Sequence, residues 1–376
     1  MIGRTRGYDK RVSGGVASFS LMAALGTFGS NALAQGGVSL YGEIDASAVW
    51  LNNVGGGRQY QLVSGLIDGS FWGLQGSEDL GGGNQAIFHL ERGFSITTGA
   101  DQNDHPYYLG LANDRYGTLT LGRQYDSIHD YLAPFTLTGG NGGTAFAHPF
   151  DNDNTNNSWL ARNSLKYSSP SFDGLSLSGM YALSNAAGQF ADNRAYSIGA
   201  NYGHGDFNAG AGWLHVDGRG NSETGAYDAV TLPGMNRDTF NASVQTQNTF
   251  GIGASQALGA FTLAASWTRS IYSGVIDTET GLPARAAAFD NYEIYGTWQA
   301  SVTLSLSGMY TYTKGTEAHW NQGALQADYS LTKRTDAYIE AIYQRASAGA
   351  PAVINSIMPS SRNSQLLFAA GIRHHF

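Results

Sequence analysis

From Val38 to Phe376 the side chains alternate between apolar and polar with a period of two, segment after segment, and no run of 18 apolar residues interrupts them. A period of two belongs to the β-strand, whose successive side chains point to opposite faces. In "VSLYGEIDASAVWL", Leu40, Gly42, Ile44, Ala46, Ala48 and Trp50 share one face, and Tyr41, Glu43, Asp45 and Ser47 the other. The absence of a long apolar run excludes a helical membrane protein. The repetition predicts about 16 strands in antiparallel succession.

The connections carry the second constraint. Short ones are expected at 78–84, 112–116, 169–174, 203–206, 257–260, 299–302 and 330–335, and longer ones at 52–60, 97–105, 125–158, 184–194, 218–245, 273–290, 314–318 and 346–363. A sandwich has no reason to alternate short with long. A transmembrane barrel does, with short periplasmic turns and long external loops. The expected fold is therefore all-β: a 16-stranded antiparallel transmembrane β-barrel forming one domain over residues 35–376. Glycine, 51 of 376 residues, is about twice its usual share of roughly 7%. Charged residues, at 13%, are about half theirs.

Residues 1–34 read differently. Arg4, Arg6, Lys10 and Arg11 precede an apolar and small-residue stretch, and "NALAQ" places Ala32 and Ala34 as an A-x-A site, so a signal peptide cut after Ala34 is expected. Removing those four bases and Asp9 from 21 basic and 29 acidic residues leaves 17 and 28, a net charge near −11. That gives no basic footprint for nucleic acid and favours cations in any enclosed water. Cysteine is absent, which removes thiolate chemistry and disulfides.

The segment "GIRHHF" keeps the alternation up to Phe376. Leu366, Phe368, Ala370, Ile372, His374 and Phe376 are expected outside, and Ala369, Gly371, Arg373 and His375 inside. A barrel must pair its last strand with its first, because lipid offers no partner for free backbone groups. His374 and His375, being adjacent, face opposite sides and cannot chelate together. "GGG" at 81–83 lacks a following Lys-Ser/Thr and reads as a turn, not a phosphate cradle. His148, Asp151 and Asp153 read as a polar loop tip. "DNDNTNN" at 151–157 is a weak Ca²⁺ candidate without an EF-hand pattern, and no cofactor is otherwise expected. Tyr41, Trp50, Tyr116, Trp267, Tyr295, Tyr310, Tyr329 and Tyr343 are girdle candidates.

The stretches "VSLYGEIDA", "WGLQGSEDLGGGNQAIFHLERGF", "YGTLTLGRQYD", "RNSLKYSSPSFDGLSLS", "ADYSLTKRTDAYIEAIYQ" and "GIRHHF" together resemble the trimeric general-diffusion porins of Gram-negative bacteria, of the β-proteobacterial type. The resemblance implies a homotrimer in outer-membrane lipid and lipopolysaccharide, passing small hydrophilic solutes. It also implies that the barrel-assembly machinery reads the C-terminal strand through Phe376, Ile372 and Phe368. It implies further that the segment 125–158 folds inward as a third loop. Its acids are Asp126, Asp130, Asp151 and Asp153, and the family sets such carboxylates against a ladder of wall arginines.

This chain departs from that pattern. Phe71 and Gln75 stand where the family form S-R-W-G-L-R-G has arginines, and His105 replaces another. Arg123 and Arg162 are kept, and Glu43 lies on the lumenal face of the first strand. The expected pore constriction therefore comprises Asp126, Asp130, Arg123, Arg162, Phe71, Gln75, His105 and Glu43, with weak or cation-leaning selectivity. The expected function is passive diffusion. A substrate-specific channel of the same architecture is the alternative. A barrel enzyme would need a clustered Ser-His or Asp-His pair, and an autotransporter a plug or passenger ahead of the barrel; neither is legible.

Overall fold

The computed structural model describes residues 37–102, 105–217, 226, 231–232, 242–277 and 282–376; the expected signal peptide, 1–34, lies outside them. Eighteen hydrogen-bonded segments occupy sixteen strand positions, because the second and fourth strands are each in two pieces. All neighbours are antiparallel. The first strand, Val38–Val54, pairs with the closing strand, Ser364–His375, from Glu43 opposite His375 to Leu51 opposite Leu367. Phe376 and Gly42 then exchange two backbone hydrogen bonds of 3.0 and 3.1 Å. The sheet is a closed ring without an edge, which the expected fold requires.

Solvent exposure is inverted relative to a soluble protein. Leu40, Leu62, Leu109, Ile198, Ile252, Ile294, Leu325 and Ile339 are exposed around the outside. Ser47, Thr249, Ser270, Asn291, Thr313 and Gln344 are buried inside. An apolar outer band of this size marks a lipid-facing surface. Of the girdle candidates, Trp50 stacks on Phe368 at 5.7 Å, and Tyr116, Tyr310, Tyr329 and Tyr343 are exposed. Tyr41 and Tyr295 are not girdle residues. Their hydroxyls bond Glu91 and Pro134 O on the lumenal side.

The strands run further than the alternation suggested. The expected long connection at 52–60 is a tight turn at Gly55 and Gly56, both at positive φ, with Asn53 Oδ1 accepting from Gly56 N at 2.9 Å. Two consecutive positive-φ residues are what a two-residue hairpin needs. The irregularity lies between the two pieces of the second strand, Gly57–Ser64 and Phe71–Gly81, where residues 65–70 leave the sheet inward. The fully buried Asp45 holds this excursion. Its carboxylate accepts from Ile67 N (2.8 Å), Asp68 N (3.3 Å) and Tyr338 Oη (2.6 Å). Backbone donors lost from the ladder are thus satisfied by a side chain.

Two inward loops fill part of the barrel. The segment 125–160 contains the short helix Ser127–Leu132 and several single turns. The helix lies on a row of glycines: Gly199, Gly212 and Gly251 stand directly opposite one another on three adjacent strands. A methyl on Gly212 would sit 2.9 Å from Ser127 O, and one on Gly251 2.9 Å from Leu132 Cδ1. Only bare backbone lets the helix come this close. Further along, Leu137 and Phe146 bury against Leu51, Leu66, Ile342 and Leu367, each side chain contributing about 1.5–3 kcal/mol. The second inward loop, 347–363, is held by Gln344 and Gln365, which bond the backbone of Val353, Ile354 and Met358. The two loops meet at Thr144. Its N–H donates to Leu66 O (2.9 Å), its carbonyl accepts from Asn355 Nδ2 (2.9 Å), and its hydroxyl lies 3.0 Å from Ser356 Oγ.

Candidate functional site: the narrowed lumen

The inward loop spends most of its charge on its own attachment. Asp126 is fully buried and caps the helix, with Oδ1 accepting from Ile128 N (2.6 Å) and Oδ2 from Asn154 Nδ2 (2.7 Å). It therefore does not reach the lumen, and burial pushes its carboxyl up to about 6. Asp151 accepts from Asn156 N, Ser158 N and Ser158 Oγ at 2.7–2.9 Å. Asp153 accepts from His148 Nδ1 (2.8 Å), Thr155 Oγ1 (3.0 Å) and Thr268 Oγ1. His148 Nε2 lies 3.2 Å from Glu293 Oε2. Burial works against the His148 charge, but Asp153 and Glu293 outweigh it and push the imidazole up to about 10. Burial and the neighbouring Asp153 push Asp151 up to about 7. Asp153 is held below the usual range despite burial, because His148 faces it.

"DNDNTNN" is therefore a buried hub rather than a solvated tip. Its carboxylate oxygens are taken by its own loop and by the wall. Among the described residues, no three His, Asp or Glu side chains are grouped as metal ligands would be.

Of the loop's four acids, only Asp130 has a partly exposed carboxylate, and it is ion-paired with Lys166. The tip of the loop is Thr138, Gly139, Gly140 and Asn141, with both glycines exposed. This tip carries no charge. Asn141 Nδ2 donates to Asp328 Oδ2 at 2.9 Å, which ties it to the wall.

The wall gathers its own acids, nearly buried, around one base. Arg373, on the closing strand, faces Asp336 (3.1 Å), Asp328 (3.6 Å) and Glu43 (4.0 Å), and His375 Nδ1 lies 3.1 Å from Glu43. Three acids thus surround one guanidinium. Asp68, on the inward excursion, is exposed. It lies within electrostatic reach of Glu43, His105 and Arg373.

Beside this cluster stands a group of rings. Phe71 is the cross-strand partner of Glu43. Its ring meets Tyr41 edge-on (centroids 6.0 Å apart, 73°) and His105 at 5.0 Å. Tyr41 Oη donates to Glu91 Oε1 at 2.7 Å, and His89 and His105 approach the same carboxylate at 3.0 and 3.2 Å. His89 stacks on Tyr108 at 5.0 Å.

The structure therefore brings Glu43, Phe71 and His105 together. Gln75 is exposed further along the same strand, opposite Ser39 and His89. Asp130 sits apart with Lys166. Arg123 lies opposite Tyr107 beside a β-bulge at Gly122, and Arg162 stands where its strand begins, its N–H bonded to Ala226 O at 2.6 Å. Sequence reasoning missed Asp68, Glu91, Asp328 and Asp336. The period-two pattern of "ADYSLTKRTDAY" already places Asp328 and Asp336 on the face that pairs with Arg373.

Residues 20–349 match the family model described as Gram-negative porin. An outer membrane porin protein of Bordetella pertussis is 27% identical over 279 residues, covering 66% of this chain and 68% of that one. A major outer membrane protein P.IB of Neisseria gonorrhoeae is 26% identical over 343 residues, covering 86% and 92%. Among solved structures, the anion-selective porin from Comamonas acidovorans superposes with a TM-score of 0.74 at 19% identity, covering 91% of this chain and all of that one. The trimer form of OmpT from Vibrio cholerae gives 0.67 at 15% identity, covering 91% and 99%.

Proposed function

The chain belongs to the Gram-negative porin family and is an outer-membrane passive-diffusion channel, and we propose that this channel leans toward cations. The observation that carries the reading is the set of three carboxylates, Glu43, Asp328 and Asp336, around the single guanidinium of Arg373. The loop tip adds no charge. Phe71, Gln75 and His105 hold the positions of the family's arginines, and Lys166 is cancelled by Asp130. Fixed charge of one sign in a narrow, low-dielectric passage raises the local concentration of the opposite ion. The Comamonas structure is described as anion-selective; the wall proposed here has the opposite balance.

The unit is read as a homotrimer, in keeping with the trimeric form among its structural neighbours. No covalent step is assigned to the lumen. Phe368, Ile372 and Phe376 are the outward, exposed apolar positions of the closing strand and are read as its recognition end for barrel assembly. The test of selectivity is the reversal potential of the reconstituted channel in a KCl gradient. The expected K⁺/Cl⁻ permeability ratio is roughly 3, equivalent to about 0.65 kcal/mol. A ratio below one would reject the reading.

A further inference from the structure

Where arginines would make a lumen wall hydrophilic, this wall presents rings. Phe71 is partly exposed between Tyr41 and His105, and it has no hydrogen-bonding capacity of its own. A lone apolar ring on a water-filled wall has a structural explanation only if something covers it, and neither neighbour does so completely. Both neighbours are themselves fixed. Tyr41 is held by its bond to Glu91, and His105 by the other oxygen of the same carboxylate. The rings are therefore oriented in advance, which lowers the ordering cost of a third ring joining them.

Carboxylates stand at the border of this patch. Glu43 is directly across the strand pair from Phe71; it is nearly buried, with Oε1 lacking a hydrogen bond and 4.0 Å from Arg373 Nε, and Oε2 3.1 Å from His375 Nδ1. Asp68 is exposed, and the adjacent Gly69 packs on His105, its Cβ position 3.5 Å from Nε2. The exposed carboxylate of Asp68 and the partly exposed rings of Phe71 and Tyr41, backed by the buried His105, favour the same visitor. A cation is drawn by the carboxylates, a planar ring stacks on Phe71, and a cationic ring satisfies both demands.

We infer that Phe71, Tyr41 and His105, bordered by Glu43 and Asp68, form a retention site for planar aromatic cations on their way through the pore. The inference rests on the cation-leaning channel proposed above and narrows its solute class. It makes the channel a weakly specific one within a general-diffusion architecture. A passing aromatic cation dwells at the patch, whereas an aromatic anion is repelled and an aliphatic cation passes without stacking.

The experiment uses the purified, folded protein in a planar bilayer with three probes. These are benzyltrimethylammonium, its cyclohexylmethyl analogue of equal charge and similar size, and benzoate. Benzyltrimethylammonium is expected to interrupt the current for about 3- to 10-fold longer than the cyclohexyl analogue, the worth of one aromatic pair, and benzoate to give no interruptions. Phe71→Leu keeps apolar bulk without a ring and is expected to abolish that difference in a channel that still folds, read as heat-modifiable migration, and still conducts KCl. Phe71→Tyr is expected to preserve it. Equal dwell times for the two cations in a cation-selective wild-type channel overturn this inference alone. So does a difference that survives in a conducting Phe71→Leu channel. Anion preference in the KCl gradient instead overturns the selectivity reading on which the inference rests.

Discussion

Tyr41 reaches across Gly73 to donate a 2.7 Å hydrogen bond to Glu91, spanning three neighbouring strands. A methyl on Gly73 would lie 2.8 Å from the Tyr41 ring and 3.0 Å from Glu91 Cγ, so the bridge exists because that position is bare. Gly73→Ala is expected to push the ring aside and cost roughly 1–3 kcal/mol, read as a lower guanidinium midpoint in detergent. Tyr41→Phe keeps the ring and loses only the bond, with an expected cost of about 1–2 kcal/mol. An unchanged midpoint in both variants would show that the bridge carries no stability.

The seating of the helix on bare backbone makes a second prediction. Gly253 faces Phe135, and a Cβ there would sit 2.6 Å from Phe135 Cβ. Gly253→Val is expected to lift the inward loop from the wall at a cost of roughly 1–3 kcal/mol. Single-channel records should show higher and noisier conductance with the folded barrel retained. Quiet openings of wild-type size would mean that the loop does not depend on this contact.

The buried knot of His148, Asp153 and Glu293 sets a pH dependence. His148 is pushed up to about 10 from an ordinary 6.5. Its stabilising contribution is therefore complete below about pH 6.5 and is lost as pH rises through about 10. Asp153, held low, contributes above about pH 4 and loses that contribution as pH falls through its depressed value. Asp151, pushed up to about 7, adds its own loss as pH rises from about 4 to 7. The loop is expected to loosen between pH 8 and about 10.5, measured as rising open-channel noise. His148→Gln should remove that alkaline limb and leave a noisier channel at neutral pH. A wild-type trace that stays flat to pH 11 would refute it.

Adding positive charge to the wall should reverse the cation preference proposed above. Phe71→Arg with Gln75→Arg places one guanidinium opposite Glu43 and a second further along the same strand, opposite Ser39 and His89. The K⁺/Cl⁻ ratio is expected to drop from roughly 3 to below one, read as a change of sign in reversal potential. Asp328→Asn should move it part of the way alone. Retention of cation preference in the double variant would place the selectivity filter elsewhere, at the loop mouths.

The barrel was legible because lipid outside and water inside impose one rule on every strand, and a rule repeated sixteen times is visible in a single sequence. The excursion at 65–70 had a local signature in the Gly, Asp and Ser of "SGLIDGS". Its inward direction depends on Asp45, more than twenty residues earlier. The roles of the loop acids were hidden for the same reason. Asp126 and Asp130 are four residues apart and chemically alike. One is consumed by Asn154, 28 residues on, and the other is met by Lys166 near the lumen. Side-chain type was readable; the partner that uses it was not. The loss of arginines at Phe71 and Gln75 was readable outright, because a strand position keeps its face.

Thr144 is bonded at once by Leu66, from the beginning of the barrel, and by the 347–363 loop just before its last strand. Its contact with Ser356 spans 212 residues of sequence. Contacts of such separation cost a large loop-closure entropy and are intrinsically slow to form. The partners that seat Thr144 therefore come from both ends of the barrel, one on each side of its seam. The narrowest part of the passage thus draws its support from the two stretches of chain that the seam brings side by side.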